Sequence, residues 1–190
     1  TATVAGGGLR SDSSTVTLRG CAVEAYAPPP WAYAVSSTFT AENSVFWGNQ
    51  ALAGAGLWSY DVSGNITNCT FYGNTAAETG GGLRLQAASP ALTNTIVWGN
   101  TPDPVRGVAD VRFCNVEGGY AGPGNRAEEP GFADAANGDI QLLPDSACVD
   151  AGTPDGAPDR DLRGVPRPQG AGVDLGAYEY AAAPLGPEAA

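Results

Sequence analysis

The chain has 190 residues and a formal net charge of −11, from 20 acidic side chains against nine basic ones, all of them arginine. Nucleic acids and anionic membrane surfaces are excluded as partners, because contacts with phosphate groups depend on clustered Lys and Arg. A hydrophobic fraction of 43%, with four Trp, excludes an intrinsically disordered chain. No run approaches the roughly 18 apolar residues of a transmembrane helix, so we expect no membrane insertion in this segment.

Two short motifs alternate along the first half of the chain. A Gly-rich motif occupies residues 6–10 (GGGLR), 54–58 (GAGLW) and 80–84 (GGGLR). An Asn-bounded motif occupies residues 43–49 (NSVFWGN), 68–74 (NCTFYGN) and 94–100 (NTIVWGN), with starts 25 and then 26 residues apart. A nearly fixed period of this length is the signature of stacked structural repeats.

Inside each repeat, apolar and polar residues alternate with a period of two. Leu83 and Leu85, for example, alternate with Arg84 and Gln86. This alternation is typical of short β-strands, and no stretch keeps the period of a helix. Short strands with one coil per repeat predict an all-β fold: a right-handed parallel β-helix, or solenoid, in which each coil stacks on the one before it.

Stacking turns equivalent positions of successive coils into ladders. We expect an apolar ladder inside the solenoid from Phe46, Phe71 and Val97. The Asn that opens each motif lies where the inward alternation breaks, which predicts a bend in the left-handed conformation that Asn tolerates. We expect each of these amides to bond to the equivalent amide one coil away. These residues are Asn43, Asn68 and Asn94.

Three aromatic side chains share one repeat position, next to an inward residue, and are expected to point outward: Trp47, Tyr72 and Trp98. Aromatic rings provide large, rigid contact area, so this ladder is a candidate carbohydrate-binding platform. Two structural alternatives stay open. The rings form a cross-coil ladder that stabilises the sheet, or they are buried under the Pro-rich loop at residues 28–31.

From about residue 110 the repeat gives way to a series of short motifs. They are VRFCNVEGG (111–119), PGF (130–132), GDIQL (138–142), SACVDAG (146–152), DLRGVPR (161–167) and GVDLGAYEY (172–180). In their order, these motifs resemble the C-terminal signature of the bacterial extracellular β-helix proteins known as choice-of-anchor Q domain proteins. The upstream coils are similar to polymorphic outer-membrane-protein repeats and to pectate-lyase-like helices. The resemblance implies a secreted or cell-surface protein.

The motifs divide the chain into three predicted parts. Residues 1–118 are β-helix coils, residues 119–180 are a C-terminal coil with an irregular capping segment, and residues 181–190 are a linker stub. The last coil of a solenoid exposes strand edges and apolar core, which must be covered. We expect apolar residues of the tail to cover it: Phe132, Leu142, Val149 and Leu175.

The tail also concentrates acidic residues in Gly- and Pro-rich loops. Because Ca²⁺ takes six to eight oxygen ligands from such loops, these residues are a candidate calcium site, although their spacing does not match an EF-hand. The alternative is that they pair with the neighbouring arginines or accept hydrogen bonds from turn amides. The residues concerned are Asp150, Asp155, Asp159, Asp161 and Asp174. No other cofactor is expected.

The chain contains four cysteines. Cys114 and Cys148 both lie in motifs that resemble the family signature. Two alternatives stay open for them: a disulfide that joins the last coil to the cap, or two unpaired thiols. Cys21 and Cys69 occupy matching positions two coils apart. Two strand spacings of about 4.8 Å separate them by about 9.6 Å, which exceeds the limit of about 7 Å between the Cα atoms of a disulfide. We therefore expect both cysteines to be free and buried.

The residue types present argue against catalysis. The chain has no His and, with only arginine among its bases, no Lys. The acids of the regular coils do not repeat at a stacked position, so paired carboxylates for glycoside hydrolysis are not expected. We therefore predict no catalytic residues and a non-catalytic secreted or cell-surface module for adhesion or structural display.

Two other functions stay open at this stage. One is a self-assembling subunit of an extracellular filament or sheath, because the N-terminus leads almost directly into a coil whose edge could receive another copy head to tail. The other is a carbohydrate-binding or polysaccharide-degrading β-helix. The expected partners are accordingly a second copy of the chain or surface glycans.

Overall fold

The protein is described by a computed structural model that covers residues 2–3, 9–12, 15–24, 32–35, 38–87 and 89–181, with side chains in 15–24, 38–87 and 89–181. Throughout this part of the chain the regular structure is β-strand, apart from one short 3-10 helix at Ala135–Asn137. The prediction of an all-β parallel solenoid is confirmed, with about three turns. Its right-handed sense stays a prediction, which the strong preference of parallel crossover connections supports.

Three parallel sheets form the walls of the solenoid. Sheet A contains β1 (Ala2–Thr3), β4 (Cys21–Glu24), β7 (Val45–Trp47), β11 (Thr70–Tyr72), β15 (Ile96–Trp98) and β18 (Asn115–Val116). Sheet B contains β2 (Leu9–Asp12), β5 (Ala32–Val35), β9 (Leu57–Tyr60), β13 (Leu83–Gln86) and β16 (Val105–Arg106). Sheet C contains β3 (Thr15–Arg19), β6 (Thr38–Glu42), β10 (Ser63–Thr67), β14 (Ala91–Thr93) and β17 (Val111–Arg112).

Each complete turn passes through sheets C, A and B in that order. Between sheets A and B, the short strands β8 (Gln50–Ala53) and β12 (Thr75–Thr79) pair with each other. After the solenoid, β19 (Phe132–Asp134) and β20 (Asp139–Leu142) form an antiparallel pair. Residues 38–106 contain the three turns in which every wall is described with its side chains.

The predicted apolar ladder fills the interior. Phe71 is in register with Phe46 on one side and with Val97 on the other, and all three side chains are buried. The two phenyl rings stack with centroids 4.4 Å apart and planes 1° from parallel. The spacing of neighbouring strands, about 4.8 Å, thus places identical side chains in face-to-face contact and confirms this part of the prediction.

The Gly-rich motif lies where successive coils approach each other closely. A Cβ atom built on Gly56 would overlap the carbonyl oxygen of Gly82 in the next coil. A Cβ atom on Gly82 would in turn overlap the carbonyl oxygen of Pro104. Glycine is therefore required at these two positions by close backbone approach, which explains why the motif is shared by the turns that contain β9 and β13.

The bends occur at the predicted Asn positions, but the amide ladder does not. Asn43, Asn68 and Asn94 adopt the expected left-handed conformation, with φ of 46°, 49° and 52°. Only one amide bond joins two of them, from Asn94 Nδ2 to Asn68 Oδ1 at 3.2 Å. Their side chains instead bond mainly to the C-terminal segment, which lies over this bend. The predicted amide bond is therefore confirmed between Asn68 and Asn94, and the prediction is wrong for Asn43.

The continuous amide ladder is formed by the Asn residues that close the motif: Asn49, Asn74 and Asn100. Asn49 Nδ2 donates to Asn74 Oδ1, and Asn74 Nδ2 donates to Asn100 Oδ1, each at 2.8 Å. Asn74 Nδ2 also donates to the backbone oxygen of Phe46 at 2.8 Å. All three side chains are buried, so this ladder satisfies polar groups inside the solenoid that water does not reach.

The C-terminal segment follows a different path from the predicted cap. Residues 123–126 do cover the end, since Arg126 donates its backbone N–H to the oxygen of Cys114 and accepts from Val116. The remainder lies across the outer face of sheet A. Of the predicted covering residues, Leu142, Val149 and Leu175 pack with Ile96 and its neighbours there. Phe132 packs in the same place.

This path has a physical reason. The outer face of sheet A carries apolar side chains on three successive strands, including Val45 and Ile96. Left exposed, such a contiguous apolar surface would favour aggregation. The segment 131–181, which we call the clasp, packs on these side chains and removes them from water.

Candidate functional site

The clasp covers the predicted aromatic platform. Trp47, Tyr72 and Trp98 do form a ladder in register on the outer face of sheet A, as their alternation predicts. All three are half-buried. The ring of Tyr72 meets the edge of Phe132 at 5.3 Å and 79°, and the Trp47 ring lies against Gly138. These rings therefore belong to the clasp interface, while the loop at 28–31 lies outside the described residues.

The acidic residues proposed as calcium ligands do not come together. Asp155 and Asp159 are exposed, and Asp150 accepts a hydrogen bond from the backbone N–H of Gly172 at 2.8 Å. Among residues 15–24, 38–87 and 89–181, no group of three or more Asp, Glu, Cys or His could hold a metal ion. The alternative, in which acids accept bonds from turn amides, describes the observed geometry.

Two of these acids, Asp161 and Asp174, are buried and organise the clasp. Asp161 Oδ1 accepts from the backbone N–H groups of Arg163 and Val165, both at 2.8 Å. Asp174 accepts from those of Asp150 at 2.7 Å and Tyr180 at 2.6 Å. A carboxylate that accepts two amide bonds fixes a turn without help from a metal.

A buried ion pair between Arg167 and Glu179 lies at the centre of the clasp. Arg167 Nη1 is 2.6 Å from Glu179 Oε2, and the two side chains are 1% and 0% exposed. Arg167 Nη2 donates to the backbone oxygen of Gly176 at 2.9 Å and to Asn43 Oδ1 at 3.4 Å. The pair thus ties the tail to the first of the Asn bends. Both residues lie in the motifs that resemble the family signature. The sequence offered the neighbouring arginines as alternative partners of the acidic residues, but it did not predict the pairing of Arg167 with Glu179.

The ionisation of Asp174 makes the stability of the clasp depend on pH. Burial raises the pKa of Asp174 to about 6, and this outweighs the amides of Asp150 and Tyr180, which lower it. Because the folded state holds this proton more tightly than the unfolded state, protonation of Asp174 stabilises the fold. Its contribution is complete below the ordinary pKa of 3.8 and is lost as the pH rises through about 6.

We expect Asp174→Asn to flatten the pH dependence of unfolding in this window. Between about pH 4 and pH 6, the free energy of unfolding of the wild type should fall relative to that of the variant by on the order of 2 kcal/mol. Urea titrations at several pH values measure this difference. Asp159→Asn, at an exposed position, is the matched control and should keep the wild-type slope. If the free energy of unfolding depends on pH equally in the wild type and in Asp174→Asn, the raised pKa of Asp174 is contradicted.

All four cysteines are free, buried thiols, so the structure does not contain the Cys114–Cys148 disulfide. Cys114 packs in the interior of the solenoid, whereas Cys148 packs outside it, under the clasp. The Cys148 sulfur accepts a hydrogen bond from Asn115 Nδ2 at 3.2 Å. Burial raises the pKa of Cys114 to about 12 and that of Cys148 to about 11, which keeps both thiols protonated and unreactive.

The outer face of sheet B carries a row of side chains that the sequence analysis did not single out. In β9 and β13 the burial alternates, with Leu57, Ser59, Leu83 and Leu85 inside. The residues that face outward are Trp58, Tyr60, Arg84, Gln86 and, from β16, Arg106. We call these five residues the guanidinium–aromatic face.

Contacts between neighbouring strands order this face. The Arg84 guanidinium carbon lies 4.8 Å from the centroid of the Trp58 ring. Trp58 Nε1 donates a hydrogen bond to Gln86 Oε1 at 3.1 Å. Tyr60 is 49% exposed and lies in register with Gln86. The face thus presents cationic, amide and phenolic groups in fixed relative positions.

A sequence signal for this face existed. The residue after the Leu of the Gly-rich motif is Arg10, Trp58 or Arg84. The strand register joins these positions into one row, in the order Arg10, Tyr33, Trp58, Arg84 and Arg106. The alternation of Arg84 and Gln86 with Leu83 and Leu85 already indicated that Arg84 faces outward, but no role was predicted for it.

Comparison of the chain with protein-family models, with curated proteins and with solved structures found no match. In the described part of the chain, no helix has the length and apolar character needed to cross a membrane.

Proposed function

We propose that the chain is a non-catalytic module of a secreted or cell-surface protein that serves in adhesion or structural display. The observation that carries this proposal is the contrast between two faces of one solenoid. The clasp occupies the outer face of sheet A, whereas the guanidinium–aromatic face of sheet B presents ordered polar and aromatic side chains. Binding surfaces in proteins are enriched in Tyr, Trp and Arg.

The scaffold supports recognition because it is preorganised. The stacked Phe46 and Phe71 rings and the buried Asn ladder hold neighbouring strands in register from inside. Side chains on the outside therefore lose little conformational freedom when a ligand binds, which favours affinity. A long, regular face of this kind suits an extended ligand better than a small molecule.

The resemblance to choice-of-anchor Q proteins supports the proposed location. The motifs that carry it, DLRGVPR and GVDLGAYEY, contain Asp161, Arg167, Asp174 and Glu179. These residues bond to one another and to turn amides inside the clasp. We infer that the signature describes a structural closure of the solenoid, as expected for a display module rather than for a reaction centre.

The proposal predicts binding without turnover. The purified chain, carrying a fluorescent label, should bind to glycans on an array of surface polysaccharides. Prolonged incubation of the chain with the polysaccharides that it binds should release no new reducing ends. Light scattering in parallel tests the head-to-tail alternative. Release of reducing ends would make the protein an enzyme, and concentration-dependent polymers would make it a filament subunit. Either result would contradict the proposal.

Assembly through the C-terminal end has a structural obstacle. The last strand of sheet A, Asn115–Val116, is already hydrogen-bonded to Arg126 through the backbone. A second copy could pair with this edge only after displacing residues 123–126. The monomeric display module is therefore the function that the described geometry favours.

A further inference from the structure

Two arginines of the guanidinium–aromatic face lie side by side without a counterion. Arg84 and Arg106 are direct register partners on β13 and β16. Like charges opposite each other on neighbouring strands are destabilising. A chain with 20 acidic residues has many positions from which to neutralise them. Over the described residues, however, neither arginine makes an ion pair.

The other exposed arginines on the solenoid walls behave differently. Arg19 pairs with Glu42 at 3.0 Å, and Arg112 pairs with Asp110 at 2.8 Å, both on sheet C. Within the clasp, Arg163 and Arg167 also have acidic partners. Arg126, at the end of the solenoid, and Arg160, in the clasp, also make no ion pair over the described residues, but on the walls described with side chains only the sheet B pair lacks an acidic partner. Two neighbouring arginines left without one on the same face point to an anion supplied from outside the chain.

The geometry of Arg84 suits anion capture. The Trp58 ring lies 4.8 Å from its guanidinium carbon and is itself held by Gln86. A guanidinium stacked on an aromatic ring keeps its N–H groups directed along the ring plane, where they can bond to a carboxylate or sulfate in a bidentate manner. Arg106 is exposed beside it and adds a second donor group.

We infer that this face binds an acidic polysaccharide, with Arg84 and Arg106 contacting its carboxylate or sulfate groups. The row that starts at the register position of Arg10 and ends at Arg106 spans four strand spacings, about 19 Å at about 4.8 Å each. That length fits several sugar units lying along the solenoid axis. Tyr60 and Trp58 provide adjacent aromatic surface for the sugar rings.

A polysaccharide fits better than a nucleic acid. Nucleic acids carry a phosphate on every nucleotide and need many cationic contacts for binding, whereas the face offers two described arginines on a chain of net charge −11. A polymer with fewer, spaced anionic groups needs only local neutralisation. This inference names the ligand class of the proposed adhesion function and rests on it.

The test uses three polymers with the same backbone: neutral dextran, carboxymethyl-dextran and dextran sulfate. The wild-type chain is expected to bind one or both of the anionic polymers at low ionic strength and to ignore neutral dextran, as measured by biolayer interferometry. Arg84→Gln/Arg106→Gln should weaken this binding by about tenfold or more. Preference for one anionic polymer identifies the group, carboxylate or sulfate, that the face selects.

The matched control is Arg19→Gln/Arg112→Gln, which removes the same charge from exposed positions of sheet C. It should change the affinity by less than about threefold, since these arginines lie on a different sheet and their charges are already paired with Glu42 and Asp110. Circular dichroism and urea midpoints confirm that both double variants are folded. Equal losses in the two variants would show a general charge effect and overturn the inference.

The failure of this inference is distinguishable from that of the adhesion proposal. No binding to either anionic polymer, or equal binding to neutral dextran, would overturn the inference that the ligand is an acidic polysaccharide. Binding of the chain to other glycans on the array would still support an adhesion module in that case. Release of reducing ends or polymer formation would instead overturn the module itself.

Discussion

Glu179→Gln is expected to lower the free energy of unfolding by about 3–5 kcal/mol. The substitution leaves Arg167 charged in a position where its side chain is 1% exposed. It also puts an amide in place of a carboxylate that accepts from Arg167 Nη1, from the backbone N–H of Gln169 and from that of Asp174. A glutamine has one acceptor oxygen, so donors would face donors inside the clasp.

Urea unfolding followed by tryptophan fluorescence measures this loss, because Trp47 and Trp98 lie at the clasp interface. The control is Glu42→Gln, which breaks the Arg19–Glu42 pair, whose side chains are 71% and 30% exposed. Solvent screens this pair, and we expect a loss below about 1 kcal/mol. Similar losses for the two variants would mean that burial does not govern the Arg167–Glu179 interaction.

Asn74→Ala is expected to destabilise the solenoid from inside, by about 3 kcal/mol or more. Its side chain accepts from the backbone and side-chain nitrogens of Asn49 and donates to Phe46 and Asn100. Truncation removes the middle member of the ladder and these four bonds, and only two of the groups keep another partner: Asn49 Nδ2 still donates to the oxygen of Val23, and Asn100 Oδ1 still accepts from the backbone N–H of residue 74. An unpaired buried polar group costs about 1–3 kcal/mol.

Asn65→Ala is the matched control for this prediction. Asn65 is exposed on the outer face of sheet C, and its truncation should change stability by no more than about 0.5 kcal/mol. Thermal and urea unfolding of both variants give the comparison. A loss for Asn74→Ala as small as that for Asn65→Ala would contradict the structural role of the Asn ladder.

The coil architecture was predictable because each part of it is local. The alternation around Phe71 fixes which side chains face inward, and the repeat length fixes which residues stack. The left-handed bends at Asn68 and its equivalents followed from the break in alternation. The repeat length and the inward–outward alternation could not predict which Asn amides bond to each other. The Asn residues that open the motif and those that close it recur with the same spacing.

The clasp was not predictable in this way. Asn68 Nδ2 donates to the backbone oxygen of Asp174, 106 residues away, and no period relates these positions. The alternation of inward and outward residues correctly predicted Trp47 on the outer face, but it could not predict which residues cover it. Likewise, proximity along the chain grouped Asp150, Asp161 and Asp174 as metal ligands. Whether a carboxylate faces an ion or backbone amides depends on the path of the turns around it.

The clasp also has a consequence for biosynthesis. It bonds to Asn43, Asn68 and Asn94, one bend on each of three successive turns, through backbone groups of Arg160, Asp174 and Thr153. A solenoid whose repeats touch only their neighbours can form stepwise as it leaves the ribosome. Here the apolar side of sheet A stays bare until the clasp residues that cover it have emerged, so the newly made chain depends most on protection by chaperones between the synthesis of sheet A and that of the clasp.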